Sequence, residues 1–214
     1  AHQLENYPRF SADQSTTEIA FFSVYDLSAR LLLRDYPAET FADVAGHSCV
    51  HLAIYGFGRL AEKIVTESAS LFHFRNQSKL KLTIFDEQVS ERRKAFEAHF
   101  PHLSSSCDID YVREVPLYPD DFQGPTEARL ATVTQHIICH ETDEKNLAHA
   151  LALRQILLSK KCSNSPIFVR MQRSGGLAQL VHTDKGQPEI PDGIYPFGML
   201  DSVLHADNIL SPQL

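Results

Sequence analysis

Val50-His-Leu-Ala-Ile-Tyr-Gly56-Phe-Gly58-Arg-Leu-Ala61-Glu62 decides the fold: an apolar run enters a Gly-x-Gly-x-x-Ala turn, and an alanine- and leucine-bearing helical segment leaves it. Gly56 lets the chain turn sharply, while Gly58, lacking a Cβ, lets backbone N–H groups approach a pyrophosphate. Ala61 is small enough for helix and strand to pack closely. The helix that follows, near 58–71, would aim its positive dipole end and its unpaired N–H groups at phosphates.

A lone glycine pattern is weak, but its context strengthens it. Leu80-Lys-Leu-Thr-Ile-Phe-Asp86 reads as the next strand and ends in a carboxylate, where a ribose hydroxyl would need an acceptor. The spacing from Gly58 exceeds the usual ~20 residues, and the polar insert at 73–79 explains the excess. A carboxylate at this place favours an unphosphorylated 2′-OH, because it would repel a 2′-phosphate. The competing structural role for Asp86 is to cap the helix beginning near Gln88 or Ser90.

Strands near 50–55, 80–86, 108–113, 133–139 and 166–171 alternate with helices near 58–71, 88–99, 125–131 and 143–159. This alternation predicts an α/β, Rossmann-like, doubly wound parallel sheet covered on both faces. Residues 1–47 read as an N-terminal linker and helical arm, 48–172 as the nucleotide-binding domain, and 173–214 as a truncated C-terminal extension with a sixth strand near Ile194–Leu200. In the arm, a helix from Glu18 to Tyr36 is expected, capped by Ser23 or Asp26 and stopped by Pro37. The helix Asp143–Ser159 is predicted to bury a stripe of Leu147, Ala150, Leu151, Arg154 and Leu158. Three prolines make 111–126 a long loop at the third strand's end. The chain starts without a methionine and stops just after a helical segment seems to begin, which predicts a fragment.

Composition excludes several classes. A net charge of -7 without a basic cluster argues against nucleic acid as a main partner. No apolar run approaches the ~20 residues of a membrane helix. The cysteines at 49, 107, 139 and 162 lack paired metal spacing and read as reduced thiols of a cytosolic protein. Neither His99 with His102 nor His136 with His140 has a third ligand at recognised spacing, so no metal is expected.

With these elements placed, the chain resembles the TrkA-N or RCK family, the cytosolic nucleotide-binding domains that regulate potassium channels and transporters. The likeness spans about residues 48–172 and rests on Gly56-Phe-Gly-Arg-Leu-Ala61, on Asp86, and on Glu141-Thr-Asp-Glu-Lys-Asn146 after the fourth strand. More loosely, the arm, the domain and the tail Phe197–Leu204 look like bacterial proteins in which such a domain joins an ion-channel segment to a ryanodine-receptor-like repeat. The chain departs from the family where Arg113-Glu-Val115 replaces the usual Gly-Asp after the third strand, and in its longer segments at 73–79 and 116–125. The resemblance implies NAD(H) as ligand, with ATP, ADP or AMP as alternatives. It also implies a homodimer or larger homo-oligomer, and a membrane channel segment of the same or a partner chain.

The expected cofactor-binding set is Gly56, Phe57, Gly58, Arg59, Leu60, Asp86, Glu87, His140 and Glu141. Arg59 is placed to meet a phosphate, and His140 with Glu141 sits where the fourth strand meets its helix; Thr142 or Asp143 would cap that helix. Arg170, a charge in an apolar strand, needs a partner if buried. No catalytic residue is expected. Hydride transfer needs a positioned acid or base and room for a substrate, and the ~40 residues after the fifth strand are too few for an ordinary substrate domain. Tyr-x-x-x-Lys, Gly-x-Ser-x-Gly and Gly-Lys-Ser/Thr patterns are all missing. The alternatives are an NAD-dependent oxidoreductase and a ligand-free dimerisation module.

Overall fold

The inner strands of the sheet are buried along almost their whole length, as parallel strands covered on both faces are, whereas the two edge strands, Cys107–Val112 and Ile194–Phe197, mix buried residues with partly or fully exposed ones. The computed structural model describes residues 23–45, 48–71, 79–113, 115–159, 165–173 and 193–205. Strands β1 (His51–Tyr55), β2 (Leu80–Phe85), β3 (Cys107–Val112), β4 (Gln135–Ile138), β5 (Ile167–Arg170) and β6 (Ile194–Phe197) form one sheet. Every pairing is parallel and the order is β3-β2-β1-β4-β5-β6. This is the doubly wound Rossmann arrangement, in which the chain reverses its winding between β1 and β4.

The period-two alternation of β1 divides the core. Leu52 and Ile54 join one cluster with Leu60, Ile64 and Val65 of α3 (Arg59–Leu71) and Phe96 of α4 (Val89–His99). Ala53 and Tyr55 join the other, with Leu130 of α6 (Pro125–Leu130) and Ala150, Leu153, Ile156 and Leu157 of α7 (Asp143–Ser159). The short helix α5 (Leu103–Ser106) leads into β3.

The arm is part of the first layer. Helix α1 (Val24–Asp35) is capped by Ser23, whose Oγ accepts from the Asp26 N–H at 3.3 Å, and it ends before Pro37. Its Ala29, Leu32 and Leu33 and the Ala38 and Ala42 of α2 (Ala38–Ala45) enter the first cluster. Lys63 on α3 pairs with Asp26 at 2.7 Å, and the Tyr36 ring lies 4.7 Å from that of Phe168. The helix begins at Val24, with Ser23 extended, rather than running on unbroken from Glu18. Residues before 23 lie outside the described residues, as do Cys162, residues 73–78 of the insert and most of the loop before Gly193. Strand β6 ends at Phe197 rather than at Leu200, which instead starts α8 (Leu200–Val203). Gly198, at φ +75°, makes the turn between them.

The buried face of one helix is also corrected. Helix α7 keeps its predicted bounds but buries Asn146, Leu147, His149, Ala150, Leu153, Ile156 and Leu157, leaving Leu151 and Leu158 exposed. Arg154, also placed in the stripe, is half-buried. Leucines and alanines surround this helix on all sides, so its apolar pattern has no clear phase, and packing against β4 and β5 selects the face.

Candidate functional site

Asp86 organises the turn after β1. Its carboxylate is buried, Oδ2 accepting from the Phe57 N–H at 2.8 Å and Oδ1 from the Gln88 N–H at 2.7 Å. Of the two roles weighed from the sequence, the structure shows the capping one in the bond to the Gln88 N–H; the bond to the Phe57 N–H adds a role that the sequence reading missed, holding the glycine turn. A carboxylate offers about four lone-pair sites, so two remain for hydroxyl donors. Arg92 of α4 spans the same turn, donating from Nη1 to the Phe57 carbonyl at 2.8 Å and lying 3.7 Å from Asp86 Oδ2.

The two glycines differ in kind. Gly56 has φ +89°, and a Cβ there would stand 3.0 Å from both the Cys139 carbonyl oxygen and His140 Nδ1. Only glycine fits. A Cβ on Gly58 would meet only Arg92 Nη1 at an ordinary 3.7 Å. Gly58 lends its carbonyl to the Glu62 N–H at 3.0 Å, as the residue capping α3 does, so the positive dipole end of that helix lies at the cavity bordered by both glycines.

Around these glycines a cavity of 810 Å³ opens at the carboxyl ends of β1, β2, β4 and β5, at the switch point where open α/β sheets bind ligands. Gly56, Phe57, Gly58, Arg59, Leu60, Asp86, Glu87, His140 and Glu141 all border it. Their contributions are unequal. The side chains of Phe57 and Leu60 are buried in the core, Phe57 lying 5.1 Å from the Phe96 ring, so these two offer the cavity only backbone. The Phe57 N–H is already given to Asp86. Arg59 is exposed at the start of α3, and Glu141 is exposed beyond β4.

The β4 side is built on a buried polar cluster. Asn146, fully buried in the first turn of α7, accepts from the His140 N–H at 2.7 Å and donates to the carbonyls of His140 at 3.2 Å and Arg170 at 2.9 Å. It ties the ends of β4 and β5 together. Arg170 also donates to the His140 carbonyl at 3.2 Å, which supplies the partner its position required, and its guanidinium lies 5.9 Å from the Tyr25 ring of α1. Thr142 caps α7 by accepting from the Lys145 N–H at 3.3 Å; Asp143 instead accepts from the Gln172 N–H at 2.9 Å.

Burial, reinforced by Lys145 and opposed by Asp86, lowers the His140 pKa to about 4. Burial, with His140 beside it, lowers that of His149 to about 3. Both rings are therefore neutral near pH 7. Burial pushes the Cys139 thiol up to about 12, which removes it as a nucleophile.

Arg92, His149, Tyr25, Lys145 and Gln172 escaped the sequence reading. Arg92 sits in a run of four charged residues, 91–94, and nothing in that run distinguishes it. His149 did carry a signal, a lone histidine flanked by Ala and Leu three residues after Asn146. Among the described residues, no group of three or more His, Cys, Asp or Glu is arranged to hold a metal ion, and no helix is long and apolar enough to cross a membrane.

No protein-family model matches the sequence, and no curated protein matches it. Among solved structures, the chain is similar to the tetrameric eIF2B-beta2-delta2 complex from C. thermophilum and to eIF2B delta from Chaetomium thermophilum. Each match has 14% identity and a TM-score of 0.36 over 66% of this chain. The chain spans 43% and 50% of the length of those two chains.

Proposed function

We propose that this chain is a cytosolic nucleotide-binding regulatory domain, taking NAD(H) or an adenine nucleotide, that controls a potassium channel or transporter without catalysing a reaction. One observation carries the nucleotide reading: the glycine turn, the start of α3 and the Asp86 carboxylate border a single cavity at the sheet's switch point. A pyrophosphate would lie over Gly58 and the α3 N–H groups with Arg59 beside it, and a ribose would meet the remaining acceptor sites of Asp86.

The link to a pore, and the expected homodimer, rest on the resemblance of Gly56–Ala61, Asp86 and Glu141–Asn146 to the RCK family. A regulatory domain needs only a ligand that binds one conformation more tightly than another. Tyr25 of α1 borders the cavity, so the arm is in reach of whatever occupies it.

The test is calorimetry with NAD+, NADH, NADPH, ATP, ADP and AMP on the wild type and on Gly58→Asp. Binding by the wild type and its loss in the variant are expected, since the new carboxylate occupies the phosphate position. A wild type that binds none of the six refutes the nucleotide reading and leaves the dimerisation module.

A further inference from the structure

His149 and His140 form a relay whose proton positions are fixed by its far end. The Pro116 carbonyl can only accept, and His149 Nε2 lies 3.1 Å from it, so His149 carries its proton on Nε2. Its Nδ1 is then an acceptor, 2.9 Å from His140 Nε2, which must donate. Neutral His140 is left with a bare lone pair on Nδ1. That atom stands beside Gly56, 3.0 Å from where a Cβ would be; both residues line the cavity, and Nδ1 makes no hydrogen bond among the described residues. The ring cannot easily turn away: it stacks on His149 at 5.2 Å, and its backbone is clamped by Asn146 on both sides. Burial disfavours its protonation.

We infer that this relay makes one atom on the β4 side of the cavity, His140 Nδ1, an obligate hydrogen-bond acceptor among the donors Thr142, Lys145, Arg170 and Gln172 that line the same side, and so selects a dinucleotide over a nucleoside triphosphate. The inference rests on the nucleotide reading above. With a ribose at Asp86 on the β2 side and phosphates over α3, the next part of the ligand lies beyond Gly56 against His140. In NAD(H) that part is the second ribose, whose hydroxyls donate. In ATP it is the γ-phosphate, whose oxygens only accept and would face a lone pair in a partly desolvated place. ADP reaches no further than the phosphates and serves as the reference for the shared half.

The experiment measures the affinities of NAD+, NADH, ATP and ADP for the wild type, His149→Phe and His140→Lys by calorimetry. It also reads the wild-type histidine tautomers from 15N chemical shifts. The wild type is expected to bind NAD(H) about tenfold or more tighter than ATP, the size of one unmade hydrogen bond. His149→Phe releases the His140 tautomer and narrows that ratio, with the ADP affinity of the same variant as its internal reference. His140→Lys supplies a donor and turns the preference toward ATP. ATP binding as tight as NAD(H) in the wild type, or an Nδ1-protonated His140, overturns the inference while nucleotide binding stands. Absence of binding by all four ligands, ADP included, refutes the underlying reading instead. The tautomer and the wild-type affinities need no variant, and together they decide the matter even where both substitutions unfold.

Discussion

Replacing Gly56 by alanine will cost about 3 kcal/mol of folding stability, whereas Gly58→Asp will cost none. At position 56 the backbone has φ +89°, and placing a Cβ on a left-handed residue costs about 1–2 kcal/mol. The new methyl would also stand 3.0 Å from the Cys139 carbonyl oxygen and 3.0 Å from His140 Nδ1. Neither neighbour is a flexible chain end: the first is backbone and the second is clamped by Asn146 and His149. Overpacking of this kind adds about 1–3 kcal/mol. For a chain of this size, each kcal/mol lowers the melting temperature by about 2–4 °C, so the variant should melt about 6–12 °C below the wild type. Position 58 is the cap of α3, where aspartate is preferred over glycine and suits the helix dipole. Gly58→Asp should therefore keep or slightly raise the melting temperature while abolishing anion binding. Thermal unfolding by circular dichroism, with urea titration to check that the m-value is unchanged, measures both. A Gly56→Ala protein melting within about 2 °C of the wild type, or a Gly58→Asp protein melting as low as Gly56→Ala, would refute this division of roles.

Asn146→Ala strands the buried His140 N–H and takes a donor from the carbonyls of Arg170 and His140, the second of which keeps Arg170 Nη1, and should lower urea stability by about 2–4 kcal/mol; a loss below 1 kcal/mol would show that the clamp is dispensable. His136 and His149, each lowered to about 3 chiefly by burial, stay neutral in the fold while the unfolded chain takes up protons below about pH 6.5. Stability is thus full above pH 6.5 and falls as the pH drops toward 3, by on the order of 2 kcal/mol between pH 7 and 5.5 from these two groups; a flat urea midpoint across that window contradicts their neutral burial. Arg59→Ala removes an exposed cation from the start of α3 and should weaken a phosphate-bearing ligand about tenfold without changing the melting temperature; unchanged affinity places the phosphate elsewhere. Tyr25→Ala should reduce the protection that bound nucleotide confers on the α1 amides in hydrogen exchange, and equal protection in both proteins separates the arm from the site.

The strand–turn–helix–strand core could be read from residues because each feature there has one dominant cause: continuous apolar runs for buried strands, two glycines for the turn, one terminal carboxylate. The bounds of α7 were readable for the same reason, but its buried face was not. With Leu147, Leu151, Leu153, Leu157 and Leu158 all present, the helix satisfies more than one stripe, and the sheet alone decides that Leu151 and Leu158 stay outside. The histidine relay was hidden for a different reason. His140 lies past a strand end and His149 in the second turn of the next helix; only the fold's return of α7 over β4 brings their rings to 5.2 Å. Likewise Arg92, one of several cations on α4, acquires its place solely because α4 runs past the glycine turn.

The hydrogen bonding of the cavity divides it into a fixed floor and a looser rim. The floor is held before any ligand arrives: Asp86 fixes the Phe57 N–H, Asn146 fixes both backbone groups of His140, and His149 fixes its ring. A ligand meeting these groups pays little reorganisation cost, which favours affinity but gives no signal, because a site that is the same in both conformations cannot shift their balance. Differential binding must therefore come from side chains at the rim, whose bonds to the floor are fewer: exposed Arg59, half-buried Arg92 with its bond to the Phe57 carbonyl, and Arg170, bonded to the His140 carbonyl and beside Tyr25. Of these only the Arg170–Tyr25 pair joins the sheet to α1, and α1 continues through Asp26 to Lys63 on the helix that starts at the glycine turn. The arm is therefore tied to the site at two points, Arg170 and α3, and the regulatory proposal requires α1, rather than the sheet, to differ between the bound and free states.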